Sequence, residues 1–221
     1  MASICVISDI HGQLAYLHKL REFMEAQNCA DLIMLGDYSR TIGSLEENRD
    51  DIRAIMNPLA DRASLYALPG NCDAREVPAI LKGAGIFAHN CAVTAGGYTV
   101  ISYGGSNPTP FETPWEIDEE VIYRDLKGLF AAHESGRKIL AVHAPPRDTK
   151  CDVIPSGAHV GSVAIRRIIE EFAPAVVVCG HIHECAGRRD TIGASIVLNV
   201  GRLADGHCAR ITPDGVEYCT L

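Results

Sequence analysis

Apolar β-type runs recur along the whole chain; six of them stop at a small cluster of polar residues, and five of those clusters offer metal-ligand atoms. The runs are 3–8, 31–36, 64–70, 98–105, 138–144, 175–181, 195–201 and 208–212, and VEYCTL closes the chain. Several are continuous rather than alternating, the pattern of strands buried on both faces. Helical spacing fills the gaps. It places Leu14, Leu17, Leu20, Phe23 and Met24 on one face of 13–27, and Ile117, Val121, Leu126, Leu129 and Phe130 on one face of 117–134. Shorter helices are predicted over 45–57 and 74–83, and another over 161–172 with Pro174 as its stop. Strands alternating with helices predict an α/β domain with a largely parallel sheet. Region 85–105 reads as consecutive strands with a Gly-Gly break, so the sheet is predicted to be mixed. No linker or repeat divides the chain, so 1–221 reads as a single domain.

The polar clusters carry the chemistry. Asp9, His11 and Gly12 follow the first run, and Gly36-Asp37 the second. Gly70-Asn71-Cys72-Asp73 follows the third, and His143 ends the 138–142 run. Gly180, His181 and His183 follow the next, and Asn199 and Gly201 the one after it. Taken singly, each is an ordinary turn, a helix cap or a satisfied core histidine. Together they sit at the carboxyl ends of strands, where open α/β sheets bind ligands, so they can converge on one crevice. Asp9, His11, Asp37, Asn71, His143, His181 and His183 offer imidazole, carboxylate and amide oxygen donors. That mixture suits manganese, iron, zinc, nickel or cobalt better than calcium or magnesium. Asp37 has two carboxylate oxygens and can bridge two cations. The His181-Ile182-His183 spacing points both rings to one side if the backbone is extended.

This set, D-I-H at 9–11, G-D at 36–37, G-N-C-D at 70–73, His143 and G-H-I-H at 180–183, resembles the calcineurin-like metallophosphoesterase superfamily over nearly the whole chain. The resemblance implies a four-layer α-β-β-α sandwich with two mixed sheets. It implies two divalent cations, manganese foremost, one held by Asp9, His11, Asp37 and His183 and the other by Asp37, Asn71, His143 and His181. It further implies hydrolysis of phosphate esters by a hydroxide bridging the two metals. Many members carry His after the motif asparagine, where it protonates the leaving group or stabilises the transition state. This chain has Cys72 there. A thiol is a weak hydrogen-bond donor, so the expected preference is for phosphodiesters over unactivated monoesters, as in small prokaryotic phosphodiesterases of the superfamily. A phosphomonoesterase or nucleotidase on the same site is the alternative. A non-catalytic interaction scaffold of the same fold is disfavoured, because such a scaffold has no need of all seven ligand positions.

Asn71, Cys72 and Arg202 are candidate substrate contacts, with Arg40, Arg147 and His159 weaker ones. His18, His89, His133 and His207 lack a ligand context and read as structural or solvent-facing. The formal net charge of −8 argues against an extended nucleic acid as partner. It leaves a small phosphorylated substrate such as a nucleotide, since a metal pair concentrates positive charge locally. Oligomerisation stays open. No apolar run approaches the ~20 residues of a membrane span. The N-terminal MASICVISDIHG lacks the basic region and apolar core of a secretory signal. Nine scattered cysteines without a CxxC pair argue against a disulfide framework and suit a reducing cytoplasm.

Overall fold

A computed structural model describes residues 3–39 and 45–221. Strands β1 (Ser3–Ile7), β2 (Cys29–Met34) and β3 (Ser64–Ala67) run parallel. Strands β10 (His207–Thr212) and β11 (Gly215–Thr220) extend that sheet antiparallel, giving the order β11-β10-β1-β2-β3. The second sheet holds β4 (Cys91–Ala95), β5 (Tyr98–Tyr103), β6 (Lys138–Val142), β7 (Val176–Cys179), β8 (Arg189–Ile192) and β9 (Ser195–Asn199) in the order β4-β5-β6-β7-β9-β8. Its four central strands are parallel, while β4 and β8 pair antiparallel at the edges. Both sheets are mixed, as the family resemblance implies, whereas the sequence pattern alone predicts a single mixed sheet.

Side-chain alternation turns two sheets into four layers. In β1, Cys5 and Ile7 pack under α1 (Leu17–Ala26), α2 (Leu45–Met56) and α3 (Val77–Gly83). Ile4 and Val6 point the other way, into a core shared with Ile139 and Ala141 of β6. The alternate β6 residues, Leu140 and Val142, face α4 (Glu119–Ala132) and α5 (Val163–Phe172). The inner strands therefore bury both faces, which is why their sequences are continuously apolar. Each such Val, Ile or Leu contributes roughly 1.5–3 kcal/mol by leaving water.

Capping fixes where the outer helices begin. The Ser162 hydroxyl accepts from Ile165 N at 3.1 Å, and Glu119 accepts from Val163 N and Ala164 N at 2.9 and 2.8 Å. A carboxylate on these orphan amides satisfies them and suits the positive end of the α5 dipole.

Two elements differ from the sequence pattern. The first helix begins at Leu17 rather than at 13, because His11 and Gly12 take φ of 48° and 64° and Gln13 N closes a turn on Ile10 O at 2.9 Å. The sequence pattern also lacks β8, whose Arg-Asp-Thr-Ile stretch is largely polar because it lies at the sheet edge beside β9. Among the described residues no helix is long and apolar enough to cross a membrane.

Candidate metal centre

Parallel strands in both sheets end on the same side of the sandwich, and their loops meet there. The loop after β1 carries Asp9 and His11, that after β2 carries Asp37, and that after β3 carries Asn71. From the second sheet, β6 ends at His143 and β7 at His181 and His183. Backbone bonds zip the loops together: Asp9 N to Gly36 O (3.1 Å), His11 N to Asp37 O (2.9 Å) and Gly180 N to His143 O (2.9 Å). Two glycines permit the closeness. A Cβ on Gly70 would collide with Asp37, and one on Gly180 with Ser8 and Asp9.

Four of the seven predicted donors hold left-handed backbone: Asp9 (φ 50°), His11 (48°), Asp37 (56°) and His181 (67°). Each costs of order 1–3 kcal/mol and persists because its surroundings over-determine it. This revises one expectation. His181 and His183 do not share a side by extended alternation, because His181 is left-handed and His183 opens a short 3₁₀ turn. Both rings still reach the centre, from different directions. His183 Nε2 lies 3.1 Å from Asp9 Oδ1, whereas the His181 ring sits 5.1 Å from that of His143.

Among the described residues, two overlapping donor sets each fit within 4.8 Å: Asp9, His11 and His183, and Asp9, Asp37 and His143. Asp37 Oδ2 faces both histidines across the middle, 3.8 Å from His11 Nε2 and 3.6 Å from His143 Nε2. Those gaps are too long for hydrogen bonds. His11 Nε2 is buried with no hydrogen-bond partner, although Asp9 Oδ1 and Asp37 Oδ2 both stand 3.8 Å away. Donors that face one another without bonding fit a cation between them.

The buried side of the centre points the same way. His143 Nδ1 lies 2.7 Å from Leu35 O, which can only accept, so Nδ1 carries the proton. In the neutral ring Nε2 then presents a lone pair, yet it faces Asn71 Oδ1 at 2.8 Å. The amide orientation follows from its other contacts. Thr113 Oγ1 gives its proton to Glu116 at 2.8 Å, so it must accept from Asn71 Nδ2, at 3.1 Å. Two acceptors thus converge, which a cation beside them would resolve.

Charge at the centre follows from burial and neighbours. Asp9 would be raised by burial, but its hydrogen bond with His183 holds it well below the usual carboxylate range. Burial, then the Asp9 charge, pushes Asp37 up, and a cation would reverse that. Burial drives the His181 imidazole down to about 3, so it is neutral and able to ligate. Burial and the Asp37 charge push the Cys72 thiol up to about 12, so it stays protonated.

Of the other candidates, Arg202 pairs with Asp205 at 2.7 Å and lies near enough for its charge to act on His183. Arg147 and His159 line a neighbouring cleft with His181. Arg40 falls outside the described residues. The sequence pattern assigns no role to four supporting residues. Asp73 accepts from Asp37 N, Tyr38 N and Gly70 N at 2.7–2.9 Å and so locks the two loops of the first sheet. Asn199 donates to Gly180 O and Ile182 O at 3.0 and 3.1 Å, fixing the His181–His183 segment. Thr113 orients Asn71, and Glu116 orients Thr113. Asp73 and Asn199 could have been read from their positions in strand-end clusters, whereas nothing in the 107–116 loop marks Thr113.

Comparison with known proteins agrees with this geometry. Residues 2–185 match the family model described as calcineurin-like phosphoesterase. An uncharacterized protein of Methanocaldococcus jannaschii is 34% identical over 210 residues, covering 87% of this chain and 85% of its own. The solved structure of TT1561 of Thermus thermophilus superposes with a TM-score of 0.76 at 19% identity, covering 99% of this chain and 98% of its own. A structure described as a novel archaeal phosphodiesterase superposes with a TM-score of 0.53 at 16% identity, covering 99% of both chains.

Proposed function

The chain belongs to the calcineurin-like phosphoesterase family, and on that premise we propose that it hydrolyses phosphodiesters with the help of two divalent cations. The observation that carries the dinuclear reading is Asp37 Oδ2, set 3.8 and 3.6 Å from two imidazoles it does not bond. Asp9, His11, Asp37 and His183 would hold one cation. Asp37, Asn71, His143 and His181 would hold the other. Such cations supply Lewis acidity toward the phosphate and lower the pKa of water from 15.7 to about 7. Manganese fits the nitrogen and oxygen donor set, as do iron, zinc, nickel and cobalt.

The protein residues set the rest. His143 is fixed in one tautomer by Leu35 O, and Asn71 in one orientation by Thr113, so both donors are aimed before substrate arrives. The charge of Arg202 is partly neutralised by Asp205. Cys72 occupies the position next to Asn71 from which a proton could be delivered, and its thiol, pushed up to about 12, releases that proton poorly. The leaving group must therefore depart with little protonation, which favours diesters and activated esters. The archaeal phosphodiesterase of the same fold is consistent with that preference.

The test is a leaving-group series. Manganese-loaded protein should cleave aryl phosphodiesters faster than the matching monoesters, with a rate that falls steeply as the leaving phenol becomes less acidic. A flat dependence, or faster cleavage of unactivated monoesters, would contradict the diester assignment.

A further inference from the structure

A cleft of about 600 Å³ opens beside the centre, within the size range of small-molecule sites. His181, whose ring lies 5.1 Å from that of His143, is part of its lining. A phosphate held at the centre therefore has this space beside it for one of its substituents. Pro108, Pro110, Ile154, Pro155 and Ile182 make most of the wall apolar, and Phe111 stands at the rim with 80% of its surface exposed.

Phe111 is not on a slack loop. Glu116 accepts from Thr109 N, Thr109 Oγ1, Thr113 N and Thr113 Oγ1 at 2.5–3.0 Å, and Phe111 N donates to Thr109 Oγ1 at 3.1 Å. Burial opposes ionisation of Glu116, but these bonds hold its carboxyl down to about 2. The brace stays intact near neutral pH. The same brace fixes Thr113, which orients Asn71. One loop thus aims a donor at the metal centre and holds an aromatic face over the adjoining cleft. So exposed a ring does no packing work for the fold, and covering it would remove apolar area from water.

Arg147, His159 and Glu184 also line the cleft. The Arg147 guanidinium, 3.8 Å from Asp148, offers a cation to a π system held in the cleft. His159 has its Nδ1 tied to Asp152 at 2.7 Å, which fixes its ring in place.

We propose that this cleft binds a flat aromatic or heteroaromatic ring carried by the phosphoester, with Phe111 as its stacking face. The inference rests on the phosphoesterase reading of the adjoining centre. It adds that the substrate carries a planar group, whether a simple aryl ring or a nucleobase.

Non-hydrolysable phosphonates test it by calorimetry on the manganese-loaded chain. Phenylphosphonate should bind about tenfold more tightly than methylphosphonate, near the lower end of what stacking on an aromatic side chain contributes. Phe111→Ala should bring phenylphosphonate to the affinity of methylphosphonate, and Phe111→Trp should preserve the difference. The phosphonate analogue of adenosine monophosphate, set against that of ribose 5-phosphate, separates the two ring sources: a larger ratio than for the phenyl pair assigns the cleft to a base. Equal affinities in the wild type, or a preference that survives Phe111→Ala, would overturn the ring site alone. Binding of neither phosphonate would overturn the metal-centre reading and the ring site with it.

Discussion

The two sides of the donor cluster are built to different standards. On one, Asp37 and His143 are 3% and 0% exposed, Asp37 accepting from Cys72 N and His143 bonded to Leu35 O. On the other, His11 and His183 are 24% and 37% exposed. His11 there has a ring nitrogen with no hydrogen-bond partner, and His183 leans on Asp9. The difference teaches that the buried side is fixed by the fold, whereas the open side is completed by whatever the centre binds. An open side also leaves room for substrate, which a purely structural metal site would not need.

The largest effect should follow substitution of the residue both sides share. Asp37→Asn keeps the shape and removes the charge. With several kcal/mol of charge stabilisation at stake, kcat/KM on an aryl diester should fall by on the order of 10³-fold. If it fell less than for His11→Ala, the comparison would be broken. His11→Ala comes next, with a loss up to about 100-fold at trace metal that excess manganese largely restores, because mass action can refill an exposed site. An activity titration with metal reads this directly, and failure of rescue would mean the open side is as fixed as the buried one.

A smaller effect is expected from Thr113→Val, which removes the partner of the Asn71 amide. Supporting residues of this kind are worth roughly 10–100-fold in metal affinity, and the lower end is expected here because Asn71 keeps its backbone bond from Trp115 at 3.1 Å. Metal binding followed by calorimetry should show the loss confined to one of two sites.

The mildest test concerns the packing beneath the loop of Thr113 and Trp115. His89 accepts from Gly104 N at 2.9 Å and packs its ring 5.9 Å from Trp115, behind the loop that carries Thr113. Burial lowers its pKa from 6.5 to about 4. The unfolded chain then binds the extra proton between those values. His89 therefore costs no stability above pH 6.5, and stability is lost as pH falls toward 4, by at most roughly 3 kcal/mol. Urea unfolding of His89→Gln should show a shallower slope across that window than wild type.

The donors themselves are legible in the sequence because each follows an apolar strand, and strand ends in α/β sheets converge. The four layers are not legible in the same way: continuous apolar strands show that both faces are buried, but helices cover such faces as well as a sheet does, and only the family resemblance implies the second sheet that Ile4, Val6, Ile139 and Ala141 share. Local pattern fails where the site overrides it. Leu14 has helical spacing, yet the backbone there obeys the turn imposed by His11 and Gly12. By spacing, His183 pairs with His181 on an extended strand, but the left-handed backbone at His181 and the turn after it re-aim both rings. Thr113 and Phe111 lie in a loop without periodicity, and their roles depend on Glu116 and Asn71, contacts that no spacing rule encodes.

Calorimetric titration of the metal-free chain with manganese, followed by electron paramagnetic resonance, addresses the shared carboxylate most directly. Two equivalents should bind per chain, and their signals should be magnetically coupled through Asp37. In Asp37→Asn the coupling and the diesterase activity should vanish together. A single equivalent supporting full activity, or undiminished activity in Asp37→Asn, would contradict a dinuclear centre built on that residue.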